Sequence, residues 1–459
     1  MKKNYLESYQ HVFFIGIGGI SMSGLAEVLH NRGLTISGSD QTASEITKHL
    51  EELGIKIYIG HDESHIRPDI DLVVYTAAIK NDNPELIKAK HQGIDLMERA
   101  TLLGYIMADY KQSIAVAGTH GKTTTTSMLA HILMSGELDP TISVGAILKG
   151  INGNFKIGHS DYFITEACEY NNSFHKFFPK IGIVLNIEED HLDFFEDLAA
   201  IRTSFQRFIQ NIHPDGYLII NDSIENIHQL TKNTSCQVIT VGSSPSSTYS
   251  YTNVSYDKLG HSTFDVYENG NYLDTIHLHV TGSHNIENAL ASIATARCFK
   301  LSLEQIKRGL LEFSGANRRF EYIGTYKGIT IIDDYAHHPT EIRKTIEAAR
   351  HIDFNRLYIV FQPHTYSRTK ALYKDFVEAL KLADGLIITD IYAAREKDPG
   401  NIHASMLVES LSNFDLDIVY IDDFDEICDF IQKNCVPNDM LITMGAGNVN
   451  MIGPMLLKK

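Results

Sequence analysis

The run Gly118-Thr119-His120-Gly121-Lys122-Thr123-Thr124 carries the residue types that wrap a nucleoside triphosphate. It follows an apolar stretch, Ser113 to Ala117, and precedes a segment with Met128, Leu129, Ile132 and Leu133 at helical spacing. A glycine turn between strand and helix aims backbone N–H groups and the positive helix end at phosphates. Lys122 is placed for the β- and γ-phosphates of ATP, and the Thr123 hydroxyl for Mg²⁺. The spacing departs from the common Gly-x-x-x-x-Gly-Lys-Ser/Thr loop. Only Thr119 and His120 separate Gly118 from Gly121, and position 116 is Val.

Two further motifs could hold metal and move charge. Thr165-Glu166-Ala167-Cys168-Glu169-Tyr170 follows the apolar segment Tyr162–Ile164, and Asn186-Ile187-Glu188-Glu189-Asp190-His191-Leu192-Asp193 follows Ile181–Leu185. In a parallel sheet both motifs reach the edge that carries the phosphate loop. Glu166 and Thr123 could share one Mg²⁺, and His191 could reach a second. Asp334, His337, His338, His364 and Arg368 form a third group on adjacent strand ends, with Arg318 and Arg319 just before it. Arginine grips carboxylate or phosphate through two parallel bonds, so this group suits an anion or an amino acid.

The elements that must position these residues alternate between strand and helix. A chain of 459 residues suggests about three domains of roughly 150 residues. The first, 1–107, opens with His11–Ile15 running into Gly16-Ile17-Gly18-Gly19-Ile20-Ser21, then a helix over Ser23–Leu29. A strand over Leu34–Ser37 ends at Gly38-Ser39-Asp40, and Asp40 stands where a dinucleotide fold places its ribose-binding acid. The functional reading is a nucleotide diphosphate at the helix N-terminus. The second domain, 108–319, contains the phosphate loop, a Ser/Thr/Tyr-rich stretch over Ser243–His261 and a hairpin turning at Asn269-Gly270. A helix is expected over Asn285–Cys298. The third, 320–459, reads as strands Ile329–Ile332, Arg356–Phe361, Gly385–Thr389 and Met440–Met444, each ending in a polar loop. The expected class is α/β with three domains: Rossmann-like, a P-loop-type ATPase sheet, and Rossmann-like again.

Composition excludes several classes. The net charge of −17 opposes nucleic-acid binding, which rests on Lys and Arg. No apolar run is long enough for a membrane span, and the N-terminus lacks the apolar core of a signal peptide, so a cytoplasmic setting is expected. Five scattered cysteines read as free thiols, and the lack of C-x-x-C argues against zinc. A nicotinamide dehydrogenase would explain Gly16 to Asp40 but leaves Lys122 and both metal motifs without a use. A non-catalytic nucleotide-binding regulator would not need Lys122, Glu166 and His191 together.

Taken in order, the motifs resemble the Mur ligase family. The resemblance rests on Gly16-Ile17-Gly18-Gly19-Ile20-Ser21-Met22-Ser23-Gly24, the short phosphate loop, Asn186 with Asp190-His191, and His284-Asn285 with Asn288. It continues through Arg318-Arg319-Phe320-Glu321, Asp334-Tyr335-Ala336-His337-His338-Pro339, His364-Thr365-Tyr366-Ser367-Arg368-Thr369 and Tyr392-Ala393-Ala394-Arg395-Glu396. The short phosphate loop is this family's form.

The resemblance implies an ATP-dependent, ADP-forming ligase of peptidoglycan precursor synthesis that makes an amide bond through an acyl phosphate. Its implied substrates are UDP-N-acetylmuramate and L-alanine; monomer and homodimer both fit. Gly16, Gly18, Gly19, Ile20 and Ser21 would meet the diphosphate, and Asp40 the uridine. Gly118, Thr119, His120, Gly121, Lys122, Thr123 and Thr124 would hold ATP, with Asn285 at the adenine, Arg319 at the phosphates and Asp334 at the ribose. His364, Arg368, Tyr392, Ala393, Arg395 and Glu396 would form the L-alanine pocket. Lys122, Glu166 and His191 would be catalytic, and Thr123, Glu166 and His191 would hold Mg²⁺. Many members carry Glu-Ala-Asp-Glu-Ser-Asp where this chain has Glu166-Ala167-Cys168-Glu169-Tyr170-Asn171. The first Glu is retained and two acids are replaced.

Overall fold

The computed structural model describes residues 5–459 except 77, 152, 193 and 395. Three sheets follow one another along the chain, of five, ten and six strands. The first is fully parallel, in the order Lys56–Ile59, Thr35–Asp40, His11–Ile15, Leu72–Tyr75, Asp95–Glu98. Two boundaries differ from the sequence reading. The helix begins at Ile20, because Gly19 adopts an extended conformation and serves as its N-cap. The second strand runs on to Asp40 through Gly38. That glycine is no turn: a Cβ there would meet the Phe14 carbonyl oxygen at 2.6 Å, so close strand packing requires it.

The central sheet places the phosphate-loop strand Gln112–Ala117 between Tyr162–Glu166 and Ile181–Val184, all parallel. Register sets Val116 beside Glu166 and Ala117 beside Val184. The acidic motifs therefore emerge next to Gly118, as βα loops of a parallel sheet must. The helix Lys122–Ser135 is buried along nearly its whole length. The Ser/Thr/Tyr-rich stretch contributes the strand Tyr249–Tyr256, which pairs antiparallel with His261–Glu268, itself paired with Asn271–Thr281. Asn269 and Gly270 both take positive φ at that turn, as Asn-Gly hairpins do. The helix His284–Cys298 lies almost where expected.

The last sheet runs Glu321–Tyr326, Ile329–Asp334, Met440–Met444, Leu357–Phe361, Gly385–Ile388, Asp417–Tyr420, antiparallel only at its first pair. Among the described residues no helix is long and apolar enough to cross a membrane.

Candidate active site

The phosphate loop is braced from the neighbouring strand end. Asn186 accepts from His120 N at 2.7 Å through Oδ1 and donates to His120 O at 3.1 Å through Nδ2. Glu188 N donates to Thr119 Oγ1 at 2.9 Å. Gly121 turns at φ +82°, where a Cβ would also meet Asn288 Oδ1 at 2.7 Å. These contacts fix the loop's shape.

Lys122 folds back over this loop. Its Nζ donates to Gly118 O at 2.5 Å, to Thr119 O at 3.2 Å and to both carboxylate oxygens of the buried Glu169. Burial alone would lower the lysine pKa; the Glu169 carboxylate outweighs it and holds the ammonium charged. His191 Nε2 lies 3.8 Å from Glu169 Oε1 and from Asp190 Oδ2. Burial lowers the His191 pKa against the pull of those two carboxylates, so its imidazole is neutral at pH 7. Its ring packs on Tyr170 at 4.8 Å.

A cavity of about 800 Å³ opens between the central and last domains. His120, Gly121, Thr124, Asn285, Arg319 and Asp334 all line it. Asp334 accepts from Phe320 N at 2.9 Å and Ala336 N at 2.7 Å, and burial pushes its pKa up to about 6. Arg319 lies 3.7 Å from Glu341 and over the Tyr335 ring. Asn285 reaches the wall with both amide ends engaged: Nδ2 donates to Thr281 O, and Oδ1 accepts from Asn288 Nδ2.

The two domains meet along the Glu188-Glu189-Asp190-His191 loop. Thr340 Oγ1 donates to Glu188 Oε2 at 2.6 Å, and His338 Nε2 to Glu189 O at 2.9 Å. Arg368 donates to Asp190 Oδ1 through Nε at 3.0 Å and Nη2 at 2.9 Å, while its Nη1 lies 3.0 Å from His364 Nδ1. A smaller cavity of about 220 Å³ sits at this seam, lined by His191, His337, His364, Arg368 and Glu396 among others. Burial pushes His337 and His364 down to about 4, so Arg368 is the cation there. Glu396 accepts from Ser367 N at 2.9 Å and from its hydroxyl, and Tyr392 stacks on His364 at 5.8 Å. His191, Thr365 and Ala394, in the segments around this cavity, hold positive φ without being glycine. Such strain, on the order of 1–3 kcal/mol each, persists where surrounding structure enforces it and clusters at functional sites.

The chain matches three families in sequence order. They are the Mur ligase family catalytic domain over 11–111, the Mur ligase middle domain over 116–296 and the Mur ligase glutamate ligase domain over 318–447. The chain is a Mur ligase. It is 51% identical to the UDP-N-acetylmuramate–L-alanine ligase of Lachnospira eligens over 98% of each chain. This Mur ligase also superposes on the UDP-N-acetylmuramate-alanine ligase of Thermotoga maritima with a TM-score of 0.80 at 28% identity, covering 98% of this chain and 99% of that one. Against the murein peptide ligase of Psychrobacter arcticus the TM-score is 0.70 at 26% identity, with 98% of each covered.

The ligase's first domain carries a second glycine loop between a strand and a helix. Gly16 turns at φ +81°, and Gly18 N donates to Asp40 Oδ2 at 2.9 Å. Gly19 and Ile20 open the helix, and Ser21 Oγ accepts from Arg99 Nη1 at 3.0 Å. The central domain touches this loop, since Asn154 Nδ2 donates to Ile20 O at 3.0 Å. At the same sheet edge the fully buried Glu85 receives Ser39 Oγ and His61 Nδ1 on one oxygen and His65 Nδ1 on the other. Sequence reasoning missed that cluster because its members come from separate elements, Ser39 from the strand Thr35–Asp40 and Glu85 from the helix Pro84–Gln92, with His61 and His65 between them.

Of the expected metal residues, Thr123 lies in the first turn of the phosphate-loop helix and Glu166 ends its strand. Glu166 Oε1 accepts from Gly145 N at 2.5 Å; among the described residues no hydrogen bond or ion pair joins it to Thr123 or His191. Arg395 lies outside the described residues, while Ala393 O accepts from Glu396 N. Glu341 was not anticipated. It faces His120 Nδ1 at 3.1 Å and accepts from His337 N at 3.0 Å. Its signal was present in the sequence, as the third residue after the helix N-cap His338, a capping-box position.

Proposed function

We propose that this Mur ligase joins L-alanine to the lactyl carboxylate of UDP-N-acetylmuramate at the expense of ATP. The product would be UDP-N-acetylmuramoyl-L-alanine, with ADP and phosphate, a step of cytoplasmic peptidoglycan precursor synthesis. The observation that carries this reading is full-length identity of about half to UDP-N-acetylmuramate–L-alanine ligases. The small seam cavity, walled by His364, Arg368 and the Glu396–Ser367 contact, supports an incoming group of amino-acid size.

The chemistry follows from charge. A carboxylate is a poor acyl donor. Its oxygen attacks the γ-phosphorus, ADP leaves, and an acyl phosphate forms. Lys122, once released from Glu169, and the N-terminus of its helix neutralise the transferring phosphoryl group. The amine of alanine then attacks the acyl carbon, phosphate departs, and the amine proton is lost to solvent. No protein nucleophile is required. Arg368 would grip the alanine carboxylate, and neutral His191 faces the reacting end.

Thr123 and Glu166 would fit one Mg²⁺, a hydroxyl and a carboxylate that leave room for waters and phosphate oxygens, and the neutral imidazole of His191 could reach a second. When bound, the ion neutralises charge on the phosphates. In this reading Gly16, Gly18, Gly19, Ile20, Ser21 and Asp40 hold the UDP group. Asn285, Arg319 and Asp334 hold ATP with the loop Gly118 to Thr124. The L-alanine pocket comprises His364, Arg368, Tyr392, Ala393, Arg395 and Glu396.

The deciding assay is phosphate release from MgATP with UDP-N-acetylmuramate, offering L-alanine or the L-Ala-γ-D-Glu-diamino acid tripeptide. Release that needs the sugar and alanine, with a product one alanine heavier, supports the reading. Release with the tripeptide alone would move the ligase to the peptide-recycling reaction.

A further inference from the structure

Arg99 opens the helix Arg99–Ala108, directly after the strand Asp95–Glu98. That strand runs parallel to His11–Ile15 with Leu72–Tyr75 between them. Arg99 and the Gly16–Ser21 loop therefore leave the sheet at the same edge, where α/β sheets take ligands. Arg99 Nη1 donates to Ser21 Oγ at 3.0 Å, in the first turn of the helix Ile20–Asn31. Further along, Leu102, Leu103, Ile106 and Met107 share one core with Phe174 and Phe177 of the central domain. Arg99 thus stands where the first and central domains meet.

A guanidinium keeps its proton and carries a rigid fork of N–H groups. Among the described residues no carboxylate lies within ion-pair distance of Arg99, and Ser21 is its one side-chain hydrogen-bond partner. Two other partly buried arginines differ: Arg368 faces Asp190 and Arg318 faces Asp333. Burial lowers the Arg99 pKa, as it does for a cation drawn out of water. Its titratable neighbour is Cys168 of the central domain, whose thiol burial keeps protonated, so that side chain brings no negative charge. Withdrawing a cation from water is costly unless an anion meets it.

We propose that Arg99 binds the diphosphate of the UDP-sugar together with the Gly16–Ser21 loop. This rests on the reading of the first domain as the UDP-sugar domain. A helix N-terminus offers phosphate only backbone dipoles; the guanidinium adds a full charge and paired N–H bonds that match phosphate oxygens. A chain of net charge −17 repels a dianion overall, so the attraction must be local. The contact with Ser21 sets the guanidinium at the first helical turn, where phosphate sits, and favours the diphosphate over the lactyl carboxylate. Because the helix of Arg99 also packs on the central domain, the contact fixes the nucleotide sugar relative to both domains.

The test is calorimetric titration of the full-length protein with UDP-N-acetylmuramate, with UDP, which has no lactyl carboxylate, and with uridine, which has no phosphate. Arg99→Gln should weaken the first two by about 10–100-fold and leave uridine and ATP unchanged. Arg99→Lys keeps the charge without the paired N–H groups and should restore part of the loss. Undiminished binding of UDP-N-acetylmuramate by Arg99→Gln overturns the proposal. An equal loss for uridine also overturns it, since the arginine would then only support the loop. Weakening of UDP-N-acetylmuramate with UDP unaffected overturns it in favour of a carboxylate contact. A wild-type chain that binds neither UDP-N-acetylmuramate nor UDP overturns the reading of the first domain, and this proposal with it.

Discussion

Lys122 donates to both carboxylate oxygens of Glu169, at 2.9 and 3.2 Å, at the start of the helix that follows the glycine loop. The carboxylate stands where the lysine's phosphate partner would compete for it. Glu169→Gln should therefore tighten ATP binding by about 1 kcal/mol, or roughly fivefold in Kd, by calorimetry. Weaker binding would instead make Glu169 a support for the lysine. Lys122→Ala should lower kcat by about 10²–10³-fold with the fold intact by circular dichroism. An ADP-forming Lys122→Ala enzyme of near-normal rate would remove the lysine from the mechanism.

Asp190 and Arg368 tie the domains together from opposite sides of the seam, and both are largely buried. Breaking such a pair from one side costs about 3–5 kcal/mol, because the remaining charge stays buried. Asp190→Asn should expand the chain in small-angle scattering. It should also raise the KM for L-alanine about tenfold or more, since Arg368 holds His364. Unchanged scattering and KM would show that the other seam contacts suffice.

Gly18 has no room for a side chain. A Cβ there would lie 2.8 Å from Thr47 Cγ2 and 2.9 Å from Asp40 Oδ2, displacing the carboxylate that Gly18 N holds. Gly18→Ala should raise the KM for the UDP-sugar by about tenfold and leave ATP affinity unchanged. Equal effects on both substrates would point to general misfolding of the first domain.

His284 lines the large cavity with a buried Nδ1 that has no hydrogen-bond partner among the described residues. Burial, aided by Lys344 and Arg319, pushes its pKa down to about 3 against the opposing pull of Glu341. The folded state therefore prefers the neutral ring. Its stability contribution is complete above the unfolded pKa near 6.5 and is lost as pH falls toward 3. By pH 5 the wild-type chain should lose about 2 kcal/mol relative to His284→Gln, measured by denaturant unfolding at pH 7 and pH 5. Parallel pH profiles would mean the ring stays accessible to water.

The phosphate loop was legible because strand, glycine turn, Lys-Thr and helix are consecutive and each has a local reason. The same holds for the Asn269-Gly270 hairpin, whose positive φ values only certain residues accept cheaply. Gly38 misled for the same reason: a glycine's local meaning is a turn, and only packing against Phe14 revealed one inside a strand. Glu85 escaped notice because nothing in its immediate neighbours marks it, and Glu341 because its capping-box position signals a helix start and not its contact with His120 of the other domain.

By itself the sequence determined the three α/β units, the order of their motifs and the membership of the Mur ligase family. Those properties rest on short-range periodicity, turn chemistry and motif order, which are written along the chain. Only the tertiary structure decided that Lys122 rests on Glu169, that Arg368 clasps Asp190 and that His120 meets Glu341. Strand register and domain docking set those distances, and both are determined by packing between segments far apart in sequence.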